Sequence, residues 1–332
     1  MTSRNVIVTG GAGYVGSHAC KALAAAGYTP VTYDNMTIGN RWAVKWGPLE
    51  LGDILDSNRV NEVYAKYKPI ATMHFAAFAL VGESMQEPSI YYRNNVNGTL
   101  NLLDACRLHG VGAFVFSSTC ATYGEPDLLP INESTAQNPV NPYGASKLMV
   151  ERILSDYQMA YNISFAALRY FNAAGADPDC EIGECRVVET HLIPLLLQAM
   201  DTQKSIKVFG EDYPTPDGTA VRDYIHAKDL ADSHVRALEH LMGGSESIKV
   251  NLGTGVGYSV KQVIDTAESI TGLKAIIENH PRRPGDPPEL VADNTKQLNT
   301  FDLGREMYGL TDILQHAWAW HKKLSASKEI SL

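Results

Sequence analysis

The stretch Asn5-Val6-Ile7-Val8-Thr9-Gly10-Gly11-Ala12-Gly13-Tyr14-Val15-Gly16 decides the fold. An apolar run feeds a loop whose glycines stand at 10, 13 and 16, and a helical pattern follows over 15–26 with Gly27 as its stop. An apolar run with no alternation is what a parallel strand covered on both faces needs. The glycines permit a tight turn, a close approach of backbone to a pyrophosphate, and close packing of helix on strand. The helix then aims its first N–H groups and positive dipole end at that anion. Asp34 ends the second β-rich run, eighteen residues after Gly16. A carboxylate there accepts hydrogen bonds from an adenosine ribose and repels a 2′-phosphate, so NAD is expected in preference to NADP. Asp53 follows a third apolar run and is a weaker candidate for the adenine end.

Outward from this loop, β-rich runs over 5–9, 29–34, 70–76, 113–117 and 164–171 alternate with helical patterns over 15–26, 57–67, 96–109 and 143–161. That alternation predicts an α/β chain: a Rossmann-type doubly wound parallel sheet. Asn141 and Pro142 supply a cap and a first-turn residue for the helix carrying Tyr143. Beyond residue 175 the alternation breaks. Residues 175–183 and 210–218 are rich in Asp, Pro and Gly and read as loops, while helical patterns return over 259–271 and 311–324. The division expected is 1–175 for an NAD-binding domain and 176–332 for a smaller C-terminal α/β substrate lobe, with some later segments returning to the sheet.

Composition narrows the class. The 332 residues are 45% hydrophobic and 20% charged, ordinary for a globular enzyme, and no apolar run reaches membrane-spanning length. The chain enters its first strand with no apolar secretory segment, and five scattered cysteines suggest no disulfide framework, so the cytoplasm is expected. Cys180, Cys185 and His191 fit no common zinc spacing, and no metal is expected. A net charge of −9 argues against a nucleic-acid partner. It also requires that an anionic substrate be gripped by local cations.

The second informative stretch is Asn141-Pro142-Tyr143-Gly144-Ala145-Ser146-Lys147. Tyr143 and Lys147 stand one turn apart on one helical face. A free tyrosine titrates near ~10, and an ammonium beside it favours the phenolate, which makes a base of it. The strand Phe114-Val115-Phe116-Ser117-Ser118-Thr119 ends in hydroxyls, and Thr119 is placed to relay a proton or orient a reacting hydroxyl.

These residues resemble the extended short-chain dehydrogenase/reductase family. His74-Phe75-Ala76-Ala77, Val81-Gly82-Glu83-Ser84, Asn94-Asn95-Val96-Asn97-Gly98-Thr99, Leu168-Arg169-Tyr170-Phe171-Asn172, Val221-Arg222-Asp223-Tyr224-Ile225-His226 and Arg282-Arg283-Pro284-Gly285-Asp286 look like its UDP-glucose 4-epimerase branch, from about residue 5 to about 320. The resemblance implies NAD-dependent epimerisation at C4 of the hexose in UDP-glucose and UDP-galactose through a transient 4-keto sugar, by a homodimer contacting through helices 96–109 and 146–161. Tyr143 would be base and acid, Thr119 a proton relay, and Lys147 a tuner of Tyr143 and a contact to the nicotinamide ribose. By matching position, Gly10, Gly13, Tyr14, Val15, Gly16, Asp34, Asn35, Asp53, Ile54, Phe75, Ala76, Ala77, Asn94 and Phe171 would line NAD. Asn172, His191, Leu192, Phe209, Arg222, Arg283, Asp286 and Leu290 would hold the UDP-sugar.

Ala79 stands where many of the family carry a lysine beside the cofactor, Thr119 where serine is common, and Leu290 where side-chain bulk helps admit or exclude N-acetylated sugars. UDP-pentoses and UDP-N-acetylhexosamines therefore remain alternatives. A sugar-nucleotide 4,6-dehydratase would need an Asp-Glu pair after the threonine, where Cys120-Ala121 stand instead. A non-catalytic NAD sensor would have no use for Tyr143, Lys147 and Thr119 together.

Overall fold

The computed structural model describes residues 4–283, 285–303 and 306–327. Seven strands form one all-parallel sheet: β1 (Asn5–Thr9), β2 (Thr29–Asp34), β3 (Leu49–Leu51), β4 (Ala71–His74), β5 (Ala113–Thr119), β6 (Ser164–Tyr170) and, much later in the chain, β10 (Ile248–Leu252). Their order is β10-β6-β5-β4-β1-β2-β3. The chain reverses its direction of travel across the sheet between β1 and β4, and such a switch point opens a crevice at the carboxyl ends of the strands.

Alternate residues of β1 feed two cores. Val6 and Val8 pack on one face with Ala19 and Leu23 of α1 (Tyr14–Ala25) and Leu230 and Leu238 of α8 (Ala227–Met242). Ile7 points to the other face, with Val60 of α2 (Ser57–Tyr67), Leu102 of α5 (Gly98–His109) and Val150 of α6 (Pro142–Tyr161). Both faces are sealed, which is why β1 shows no alternation.

The predicted elements lie within two residues of those formed at either end. The helix expected from residue 96 instead begins with a π-helical turn over Tyr92–Asn97, a distortion that gathers at functional sites. Two strands of the large sheet had no predicted bounds: one under the third apolar run, and one of the later segments expected to return to the sheet. Leu49–Leu51 is only three residues long, and Ile248–Leu252 lies beyond the loops of the second half.

The second sheet centres on β9 (Val221–His226), flanked by β7 (Asn172–Ala174) and β13 (Glu289–Leu290) in parallel and β11 (Gly257–Ser259) antiparallel. A parallel pair, β8 (Ser205–Phe209) and β12 (Ile276–His280), lies apart. Pro194 sits in the first turn of α7 (Leu192–Asp201), where its missing N–H costs nothing. No helix among the described residues is long and apolar enough to cross a membrane.

Candidate active site

The glycine loop is held shut by sterics. A Cβ on Gly10, whose φ is +71°, would lie 2.7 Å from the Ala76 nitrogen, and one on Gly16 would lie 2.2 Å from the Gly10 carbonyl oxygen. The turn from β1 into α1 therefore abuts Phe75-Ala76 after β4. No side chain caps α1 at Gly13, which leaves its end free to accept an anion.

Asp34 is tied into this cradle. Its Oδ2 accepts from the Ala12 N–H at 3.0 Å and its Oδ1 from the Met36 N–H at 2.9 Å. Burial pushes its carboxyl up, and the two N–H bonds oppose that. Two of roughly four acceptor sites remain for a ligand. Asn35 donates to Asp53 Oδ2 at 2.9 Å, and Asp53 Oδ1 accepts from the Leu55 N–H, so Asp53 mainly fixes the turn beside β3. Ile54 is buried. Phe75 packs against His234, rings tilted with centroids 4.7 Å apart, and Asn94 rides the π-helical turn. The Tyr14 hydroxyl donates to the Gly175 carbonyl at 2.7 Å.

The acid/base group forms where α6 starts. Asn141 Oδ1 accepts from the Gly144 N–H at 2.8 Å and Pro142 occupies the first turn, which places Tyr143 at the mouth of the helix. Tyr143 hydrogen-bonds with Thr119 at the end of β5. One turn on, Lys147 Nζ lies 6.0 Å from the Tyr143 ring centroid and donates to the Ser117 carbonyl at 2.7 Å. Burial pushes the Tyr143 phenol well above its ordinary range, the nearby Tyr170 phenol adds to this, and the Thr119 bond pulls it back. Burial also pulls the Lys147 ammonium down to about 7. The sequence led us to expect a phenol tuned downward by the ammonium. Desolvation sets the direction for both groups instead: Lys147 is buried and Tyr143 is half-buried.

The residues expected to hold a UDP-sugar fall into two groups. Arg222 on β9 pairs with Asp286 and donates to the carbonyls of Val221 and Pro287 at 2.7 and 2.8 Å. Its neighbour in register, Leu290, packs with Cys120 and Phe171 beside Thr119. The Arg283 guanidinium lies 4.1 Å from the Phe209 ring centroid, and Asn172 leads into β7. His191 and Leu192 lie elsewhere, at the start of α7. His191 Nδ1 is 2.8 Å from Glu184 Oε1, on a loop whose charges reach Tyr14.

Two carboxylate groups among the described residues come close enough to hold a metal, Glu184 with Glu189 and His191, and Asp177 with Asp179 and Glu181. Each already meets a cation: Arg186 on Glu184 at 2.9 Å, and Lys21 across the second group at 2.7–2.8 Å.

Sequence reasoning overlooked Ser117, whose carbonyl anchors Lys147 and whose hydroxyl meets Tyr170 at 2.6 Å. It also passed over Glu151, although a third polar residue at four-residue spacing after Tyr143 and Lys147 was a visible signal.

Comparison with known proteins agrees with this geometry. The sequence profile of the NAD dependent epimerase/dehydratase family matches residues 6–253. A UDP-glucose 4-epimerase of Rhizobium meliloti (strain 1021) is 51% identical over 325 residues, 97% of this chain and 98% of the relative. The crystal structure of a UDP-glucose 4-epimerase from Brucella ovis in complex with NAD superposes with a TM-score of 0.91 at 50% identity, covering 95% of this chain and 97% of that one. One from Stenotrophomonas maltophila, with bound NAD and formylated UDP-arabinopyranose, gives 0.92 at 38% identity over 97% and 98%. With a cradle, an acid/base helix and relatives matching end to end, the chain belongs to the NAD dependent epimerase/dehydratase family and, within it, to the family of the UDP-glucose 4-epimerases.

Proposed function

We propose that the chain is an NAD-dependent 4-epimerase that interconverts UDP-galactose and UDP-glucose. One observation carries this reading: Tyr143, Lys147 and Thr119 gather at the carboxyl end of β5, on the same edge of the sheet as the glycine cradle and next to the Leu290 strand that adjoins Arg222. The cradle fits a dinucleotide, since Gly10 and Gly16 let the loop close tightly on Ala76 and on itself and α1 has no side-chain cap at Gly13. When bound, NAD would supply reversible hydride transfer at C4 of the sugar, by way of a transient 4-keto sugar. Gly10, Gly13 and Gly16 would admit its diphosphate, Asp34 its adenosine ribose and Lys147 its nicotinamide ribose.

Tyr143 Oη accepts the proton of the sugar 4-hydroxyl, directly or through Thr119 Oγ1, and gives it back after the sugar has turned. Its phenolate is favoured by positive charge, and Lys147 is the cation that the chain supplies one turn away. Arg222 and Arg283 fork the UDP phosphates, answering the net charge of −9. Binding concentrated on the nucleotide leaves the hexose free to turn. The residues before 176, with β10, thus serve the cofactor and the later lobe serves the UDP-sugar. Leu108, Met149, Met159 and Tyr161, exposed on α5 and α6, suit a contact with a second copy. The five unpaired cysteines suit the cytoplasm.

Purified protein incubated with UDP-galactose and no added cofactor is expected to form UDP-glucose. A keto-deoxy product, or none, defeats the reading. Asp34→Ala is expected to weaken NAD by roughly 10–100-fold, the loss of charged hydrogen bonds to ribose, and to narrow its lead over NADP. Titration with each dinucleotide checks this, and an unaltered preference counts against the ribose contact.

A further inference from the structure

Beneath Tyr143, Lys147 and Thr119 lies a second polar layer that the proposed reaction does not use. Glu151 follows Lys147 by one helical turn, so Tyr143, Lys147 and Glu151 share a face of α6. The Glu151 carboxylate is wholly buried. Its Oε1 accepts from Ser118 Oγ at 2.6 Å and Arg169 Nε at 2.9 Å, and its Oε2 from Arg169 Nη2 at 2.6 Å.

Arg169 is 2% exposed and donates its remaining N–H groups to Tyr123 Oη at 2.8 Å and Gln137 Oε1 at 3.1 Å. Tyr123 donates in turn to Asn251 Oδ1 at 2.7 Å, and the Asn251 N–H donates to Glu133 Oε1 at 2.8 Å. Ser118, Arg169 and Asn251 are register partners on β5, β6 and β10. The layer therefore joins three strands, α6 and the loop leading into α6. Lys249 Nζ stands at its edge, 4.0 Å from Glu151 Oε2.

A buried ion pair is a poor stabiliser, since apolar residues of similar volume often serve as well. Geometry gives this one another use. Helix α6 meets the end of β5 at three levels: Tyr143 with Thr119, Lys147 with the Ser117 carbonyl, and Glu151 with Ser118 Oγ. The upper two must move a proton or meet ligand. The third faces neither task, and its two-pronged grip from Arg169 fixes both the rotation of α6 and its height along β5.

We infer that Glu151, held by Arg169 and Ser118, is a positioning residue that sets the register of α6 against β5 and so aims the Tyr143 phenol. This rests on the epimerase reading given above. Two variants test it: Ser118→Ala, which removes one rung, and the double variant Glu151→Met with Arg169→Met, which replaces the pair with apolar side chains. Turnover of UDP-galactose, its KM and the melting temperature are measured on each, beside the unaltered protein.

We expect kcat to fall about tenfold in the first and about 100-fold in the second, the scale of a misplacement near 1 Å. KM should stay within about twofold and melting within a few degrees. Unaltered kcat in either folded variant overturns the inference, as does a loss confined to KM. If the double variant does not fold, Ser118→Ala decides alone. An unaltered protein that leaves UDP-galactose untouched defeats the functional reading instead.

Discussion

Replacing Tyr143 with phenylalanine is expected to lower turnover by about 10²–10⁴-fold, the usual worth of a positioned acid/base, while NAD remains bound. The change removes one oxygen from a ring that is otherwise kept in place. Phenylalanine occupies the same volume at the mouth of α6, and the Asn141 cap and Pro142 start do not involve the phenol. The glycine cradle and Asp34 lie on other elements and should keep their grip. Thr119 cannot substitute: its Oγ1 also accepts from the Ala121 N–H at 3.1 Å, and a neutral hydroxyl is a far weaker base than a phenolate. Single-turnover measurement of UDP-galactose conversion, with bound nicotinamide followed by absorbance, separates the two effects. Near-normal turnover would remove Tyr143 from the reaction, and loss of NAD would mean that the phenol holds cofactor.

Much of this site was legible because its chemistry depends on local spacing. Gly10 and Gly16 declare a turn in which a Cβ would strike backbone, and Tyr143 with Lys147 declares a helical face. Asp34 was readable from its place after a strand, although its bonds to Ala12 and Met36 were not. What sequence concealed depends on distant pairing. Strand Ile248–Leu252 completes the large sheet after the smaller lobe has intervened, and its five residues carry no mark of the edge they join. The Ser118, Arg169 and Asn251 row exists only because three strands align in register. The direction of the Tyr143 shift was hidden for a related reason: local spacing supplied the lysine, but only the fold supplied the desolvation that raises the phenol.

Lys147→Met should produce a protein that is less active and more stable. Lys147 is 3% exposed, and burial pulls its ammonium down to about 7 from an ordinary value near ~10.4. Below about pH 7 both folded and unfolded chains carry the proton, and the folded chain bears the full desolvation penalty. Between about 7 and ~10.4 the unfolded chain binds more protons than the folded one, so stability rises with pH as that penalty fades. The shift corresponds to at most about 5 kcal/mol, from which the loss of the Ser117 bond takes back about 1–3 kcal/mol. Methionine fills much of the same volume without charge. Its melting temperature should therefore exceed that of the unaltered chain by a few degrees near pH 6.5, with the lead shrinking or reversing by pH 9.5. Turnover should fall by about 100-fold or more, since the phenolate loses its nearest cation. Thermal melts of both ligand-free proteins at the two pH values check the sign. A difference that does not change with pH would mean that the ammonium is not pulled down into this range. A lower melting temperature at pH 6.5 would mean that the Ser117 hydrogen bond outweighs the buried charge. Lys147 would then brace the fold as well as serve the reaction.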